Sequence, residues 1–153
     1  MNANFTAIKN AIDPLEVSNY SIFSSLNYSS TNVGSTLTKL TTTSTTHSFT
    51  KTRTDTKIEV HINSRFGSGT FSGNSGVYYE VRIDDTIAPT YGNKGAISTT
   101  STTDFLSIYA VFSGLSAGSH TVSIWAAAPS GTSTGVLVDP GGWGGAIIVK
   151  EVH

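Results

Sequence analysis

Gly131-Thr-Ser133-Thr-Gly135 has the spacing of a nucleophile elbow, in which a strand-to-helix turn exposes a serine to a histidine base. The residues that follow, Val136-Leu-Val-Asp-Pro140, suit a strand or loop rather than a helix, so the stretch reads as a plain Gly/Ser loop. His47, His61, His120 and His153 each stand alone, without the i, i+4 partner or the carboxylate offset that metal ligation uses. His61 and His120 are expected to point outward from strands. Asp84-Asp85 could serve Ca²⁺ or acid/base chemistry. It reads instead as a hairpin turn, because Asp favours turns and no further carboxylate clusters nearby in sequence. With no Cys, thiolate chemistry and Cys-based metal centres are excluded. The expectation is a non-enzymatic protein with no cofactor, no catalytic set and no metal site.

Chemistry of binding is better represented. Asp139-Pro-Gly-Gly-Trp-Gly-Gly145 sets one large aromatic among glycines that let the backbone approach a surface closely. Trp143 therefore anchors a partner protein or a sugar ring, or else folds back over its own domain. Phe5, Ile8 and Ile12 recur at i, i+3 and i+7, with Asn4 as a cap and Pro14 as a stop, which predicts a short helix. Such a helix is marginal alone and must dock on something. Residues 15–30 follow with Leu15, Val17, Tyr20, Ile22, Phe23, Leu26 and Tyr28 among Ser and Asn. Residues 1–30 thus read as an apolar arm, and Phe5, Ile8, Ile12, Tyr20, Phe23 and Trp143 as candidates for partner contact.

The elements that must position these residues are strands. Ser and Thr together number 45 of the 153 residues, and β-branched and aromatic residues alternate between Gly, Asn and Ser clusters. Lys57–Asn63 alternates strictly, sending Ile58, Val60 and Ile62 inward and Lys57, Glu59, His61 and Asn63 outward. Val77–Ile83 repeats the pattern, Thr121–Ala126 alternates Val122 and Ile124 against Ser123 and Trp125, and Ala146–Val152 closes the chain. The Thr-rich stretch 31–56 suits exposed or edge strands. Phe105–Phe112 is apolar on both faces, so that Phe105, Ile108, Tyr109, Val111 and Phe112 divide between a core and a subunit contact, or serve the core alone. Strands without intervening helices predict an all-β antiparallel sandwich over residues 31–153. Charged residues make up 12% of the chain, with 9 Lys+Arg against 10 Asp+Glu, which argues against a nucleic-acid footprint. No segment has the ~20 apolar residues of a membrane-spanning helix. The first residues show no basic-then-apolar leader pattern, so synthesis in a host cytoplasm is expected.

In order and spacing, Val81-Arg-Ile-Asp-Asp85, the apolar strand at 105–112, Ser113-Gly-Leu-Ser-Ala-Gly-Ser-His-Thr-Val122 and Ala146-Ile-Ile-Val-Lys-Glu-Val152 resemble the jelly-roll domains of bacteriophage structural proteins. These are similar to C1q and tumour-necrosis-factor modules. The resemblance covers about residues 33–152. It implies a homotrimer that buries apolar faces around a threefold axis, with Phe105, Tyr109, Phe112 and Trp125 as interface candidates. It further implies a decoration or cement protein on the capsid surface of a virion, contacting the major capsid protein and neighbouring decoration trimers. The rival reading is a trimeric receptor- or carbohydrate-binding knob of a tail fibre or spike.

Overall fold

The structure, a computed structural model, describes residues 19–24, 26–41, 44–72, 76–92, 95–98, 103–128 and 130–153. The helix expected over 3–12, with Phe5, Ile8 and Ile12, lies outside the described residues. The described chain is all-β. Its strands are β1 (Asn19–Ser24), β2 (Tyr28–Val33), β3 (Thr38–Lys39), β4 (Thr46–Lys51), β5 (Lys57–Ser72), β6 (Val77–Ile83), β7 (Tyr91–Gly92), β8 (Gly95–Ser98), β9 (Thr103–Phe112), β10 (Gly118–Ala127), β11 (Thr132–Val138) and β12 (Ala146–Val152). All their pairings are antiparallel, within one seven-stranded and one five-stranded sheet. Among the described residues no pairing joins the two sheets into a closed barrel.

β5 is the spine of the large sheet. One of its edges takes β12 along Lys57–Asn63 and β11 along Phe66–Ser72, while the other takes β9 along Ile58–Gly67. β1 then extends β12, β2 extends β11 and β7 extends β9. β1 and β2 are thus built into the sheet, although the sequence placed residues 19–30 in the arm. In the small sheet β10 lies between β6 on one side and β4 followed by β3 on the other, and β8 flanks β6.

Period-two alternation decides what enters the core. Ile58, Val60, Ile62 and Phe66 on β5, Ile108 and Phe112 on β9, and Ile147 and Val149 on β12 point inward and are buried. They meet Tyr79, Val81 and Ile83 of β6 and Val122, Ile124 and Ala126 of β10 in one cluster. The rings of Phe66 and Tyr79 join the layers with centroids 4.7 Å apart. Tyr79 also donates its hydroxyl across the sandwich to the carbonyls of Gly67 on β5 and, at 3.1 Å, Leu137 on β11. Burial pushes the phenol of Tyr79 up, so it stays a donor at any ordinary pH. Tyr79→Phe leaves both carbonyls short of a partner in a dry site and is expected to cost about 1–3 kcal/mol, read as a lower denaturant midpoint with an unchanged m-value.

The structure corrects three residue assignments, each for a reason of parity. Phe112, a candidate for the subunit interface, is fully buried because it shares the inward phase of Ile108 and Ala110. Phe23, a candidate for partner contact, shares the inward phase of β1 and stacks on His47 of β4 with centroids 4.4 Å apart. His120, expected outside, lies in the phase of Val122 and Ile124 and is 8% exposed.

His120 has a defined task. Its Nδ1 stands 2.7 Å from Asp84 Oδ2 and its Nε2 2.9 Å from the Ser116 carbonyl, so both ring nitrogens face acceptors and the imidazolium satisfies both. Burial lowers the pKa of His120, but its hydrogen bonds to Asp84 and to the Ser116 carbonyl outweigh that and raise the pKa overall, despite the Lys51 charge nearby. Asp84 also accepts the Thr121 N–H at 2.9 Å, and with Asp85 it holds positive φ values of 49 and 62 degrees in the expected turn. The stabilisation from His120 is therefore full below its unfolded pKa and disappears as pH rises through the folded one. Thermal stability is expected to fall as pH rises above about 6.5, the ordinary histidine value, and His120→Gln to flatten that part of the profile.

The largest buried polar group ties the β4–β5 connection to β12. Glu151 accepts the Thr52 N–H (2.8 Å) and hydroxyl (2.7 Å), the Arg53 N–H (2.8 Å) and the Thr56 hydroxyl (2.6 Å). Lys51 Nζ lies 3.9 Å from the same carboxylate and donates to Thr56 Oγ1 at 2.7 Å and to the Arg53 carbonyl. Burial pushes the Glu151 carboxyl up, yet these hydrogen bonds reverse the effect and hold it at about 2.

Candidate functional site

The two outer faces of the sandwich differ in kind. On the small sheet, Arg82 lies over the Trp125 ring at 5.1 Å and pairs with Glu80 at 2.8 Å, and Tyr78 donates to Glu80 at 3.2 Å. Lys39 pairs with Asp85 at 2.5 Å, Asp85 accepts the Ser123 hydroxyl at 3.2 Å, and Ser123 accepts the Trp125 Nε1–H at 2.9 Å. This surface has spent its polar and aromatic groups on itself.

The outer face of the large sheet carries paired groups too, with Lys57 Nζ 5.6 Å from the Tyr91 ring centroid, but it also leaves large hydrophobics exposed. Tyr20 (64% exposed), Ile22 (58%), Tyr91 (44%), Phe105 (77%) and Trp143 (74%) are the exposed large hydrophobics among the described residues, and all belong to this sheet or the loop at its edge. Register shows how they lie. Ile22, Ile148, His61 and Tyr109 stand side by side across β1, β12, β5 and β9. The neighbouring row runs from Tyr20 through Lys150, Glu59 and Val111 to Tyr91. His61 and Tyr109 are in ring contact at 4.6 Å, and Tyr109 donates to Glu59 at 3.0 Å. Toward the other end of β5, Arg65 lies opposite Phe105.

Trp143 joins this end of the face through Arg65, whose guanidinium lies 5.8 Å from the indole centroid. The β11–β12 loop that carries it is fixed by Asp139, which is 1% exposed and accepts the N–H groups of Trp143 (3.1 Å) and Gly145 (3.0 Å). Gly141, Gly142 and Gly144 take φ values of 88, 68 and 110 degrees there, a region closed to most side chains. Trp143 is thus held outward and does not fold back on the sandwich.

The sequence candidates scatter over three places. Tyr20, Phe105, Tyr109 and Trp143 lie on or beside the outer face of the large sheet, Trp125 lies on the opposite side of the sandwich, Phe112 is inside, and the half-buried Phe23 packs against the core. Ile22, Arg65 and Asp139 were not singled out as site residues, Ile22 being read only as part of the arm and Asp139 only as part of the Trp143 loop. The alternation of Tyr20 and Ile22 was the signal for the first of these, while the Arg65 contact depends on a loop geometry that no local pattern shows.

Among the described residues, groups for covalent chemistry do not converge. Ser133 is buried within β11 rather than at a strand-to-helix turn, and its hydroxyl has no hydrogen-bond partner. Among the described residues no three His, Asp or Glu side chains come together as a metal site. A recess between β1 and β4, lined in part by Tyr20, Phe49, Ile58 and Val149, holds about 10 Å³, the space of one water.

Fold and surface together define an antiparallel two-sheet β-sandwich with one self-satisfied face and one aromatic face. No protein-family model matches the chain, and no curated protein matches it. Among solved structures it is similar to a chain in the structure of infectious bursal disease virus Gt strain, with TM-score 0.50 and 14% identity over 88% of this chain and 33% of that one. It is also similar to a chain of the tripod (BppUct-A-L) from the baseplate of bacteriophage Tuc2009, with TM-score 0.43 and 19% identity over 89% of this chain and 64% of that one. The D431N mutant VP2 protein of infectious bursal disease virus, in derived T=1 particles, gives TM-score 0.44 and 15% identity over 88% and 36%. The chain therefore spans about a third of the bursal disease virus chains and under two thirds of the tripod chain. At 14% identity, what is shared with the infectious bursal disease virus Gt strain chain is the fold.

Proposed function

We propose that this chain is a structural protein of a virus particle, a jelly-roll sandwich of the C1q and tumour-necrosis-factor kind that sits as a homotrimer on the outside of a bacteriophage capsid and reinforces it. The observation that carries the reading is the concentration of exposed large hydrophobics on one face of the large sheet, opposite a face whose charges are paired. An apolar face of this extent marks a surface that other protein covers. The sandwich fold shared with a chain of a virus structure supports the setting.

On this reading the β1 side of the face, with Tyr20, Ile22, Ile148 and Tyr109, packs between subunits. Phe5, Ile8 and Ile12 supply shell contacts. A trimer that binds only the assembled shell stabilises it by mass action, and three simultaneous attachments turn a weak contact into a tight one.

Sedimentation velocity of the chain, alone and mixed with intact particles of its virus, tests this. A trimer that co-sediments with particles supports the reading, and co-sedimentation should fall when Phe5, Ile8 and Ile12 are together replaced by Ser. A monomer at micromolar concentration, or a trimer that ignores particles, contradicts it.

A further inference from the structure

We propose that the Trp143 end of the large sheet is a saccharide-binding platform. It is distinct from the β1 side of the face, and its presence does not depend on what that side contacts. Across the face the Ile22 row is separated from the Arg65 row by several residues of β5, about 3.3 Å each.

Three observations converge here. First, the indole is presented rather than tolerated. A buried carboxylate, Asp139, uses one oxygen on the Trp143 N–H and the other on the Gly145 N–H, and Gly142 donates to the Asp139 carbonyl at 2.9 Å. Gly141 lies against the ring edge, where an added Cβ would come within 2.6 Å of Trp143 Nε1. The loop thus spends buried hydrogen bonds to hold a ring that is 74% exposed, which is the arrangement of a preorganised binder.

Second, the groups tied to the ring and its loop are polar or aromatic. Arg65 lies over the indole and donates to the Thr103 hydroxyl at 2.6 Å, Phe105 stands opposite Arg65, and the exposed Asn27 accepts the Gly141 N–H at 3.1 Å. Aliphatic side chains, which the core of a protein–protein contact would use, are concentrated at Ile22 and Ile148 instead.

Third, the chemistry matches a pyranose. Its axial C–H groups carry slight positive charge and stack on the negative face of an aromatic ring. Its hydroxyl rim then needs donors and acceptors, and the polar groups tied to the ring and its loop are the Arg65 guanidinium, the Thr103 hydroxyl that accepts from it and the Asn27 amide that accepts the Gly141 N–H. Two aromatic rings flanking one guanidinium offer places for two sugar units.

The test uses the full chain with Trp125→Phe, which leaves Trp143 as its single tryptophan. The probes are a glycan array of neutral and acidic oligosaccharides, followed by fluorescence titration with the array hits. Binding with a blue shift of Trp143 emission, with an affinity by titration calorimetry that falls at least 10-fold in Trp143→Ala and is weakened in Phe105→Ala, supports the proposal. Both replaced side chains are more than 70% exposed, so the fold should persist, with thermal unfolding as the control. No hit on the array overturns the proposal, as does binding that Trp143→Ala leaves unchanged. Loss of particle co-sedimentation in Trp143→Ala without any glycan hit also overturns it, and assigns the platform to a protein partner.

Discussion

Tyr20→Glu combined with Ile22→Glu is expected to leave the chain folded and monomeric. The two side chains are 64% and 58% exposed in the isolated chain, so charging them costs the monomer little. In the assembly the same carboxylates would be carried into an apolar contact, where Lys150, opposite position 20, can pair with one of them while the one at position 22, opposite Ile148, has no counter-charge in the register. Burying an unpaired charge costs several kcal/mol, enough to weaken association by more than 100-fold. Sedimentation equilibrium over a concentration series reads the effect directly. Trp125→Ala, on the opposite side of the sandwich, is the matched control and should leave the mass of the assembly unchanged. If instead Trp125→Ala dissociates the assembly and the double Glu variant does not, the interface lies on the small sheet.

Glu151→Gln should be the most destabilising single substitution of a buried polar group. Four donors converge on this carboxylate, and Lys51 beside it is buried as well, so the amide leaves a buried ammonium without its counter-charge. Breaking one side of such a pair costs about 3–5 kcal/mol. In a domain of this size that lowers Tm by roughly 10 °C. The pH dependence gives an independent readout. The folded-state pKa of about 2 lies below the unfolded value, so the contribution of Glu151 is complete above pH 4.5 and is lost as pH falls from there toward 2. Its size, from that shift, is about 3 kcal/mol. Glu151→Gln should therefore lower Tm at pH 7 and narrow the gap to the unsubstituted protein as pH falls to 2. A parallel offset at all pH values would mean that packing, and not the charge, is what the residue supplies.

How far these features could be read from the sequence follows from how local their causes are. Lys57–Asn63 and Val77–Ile83 alternate without exception, and both are strands with the expected faces inward. The continuation of β5 to Ser72 was hidden, because Ser64 and Ser68 occupy inward positions where the pattern leads one to expect apolar residues. There the neighbours β9 and β11, and not the side chains, keep the strand in the sheet. Ser133 shows the opposite case: its Gly-x-Ser-x-Gly frame is matched locally, but the segment pairs with β2 and β5 as a strand, with Gly135 at φ 73 degrees disturbing its register. His120 was readable, since Val122 and Ile124 fix its phase. Glu151 was not, because its partners are more than 90 residues away in the chain.

The aromatic face was half legible. Trp143 and Phe105 were singled out by type, and their separate surroundings joined only when Arg65 came between them on β5. The subunit-contact reading of β9 divides by parity, with Phe105 and Tyr109 outside and Ile108 and Phe112 inside.

Hydroxyl-radical footprinting of the chain diluted until it dissociates to monomer and of the chain on intact particles tests the assembly reading most directly, because tyrosine and tryptophan mark both faces. The account predicts that Tyr20, Tyr91 and Tyr109 on the large sheet become protected on the particle while Tyr78 and Trp125 on the small sheet react as before. Protection of Tyr78 and Trp125 with Tyr20, Tyr91 and Tyr109 unchanged, or no protection at all, would contradict it.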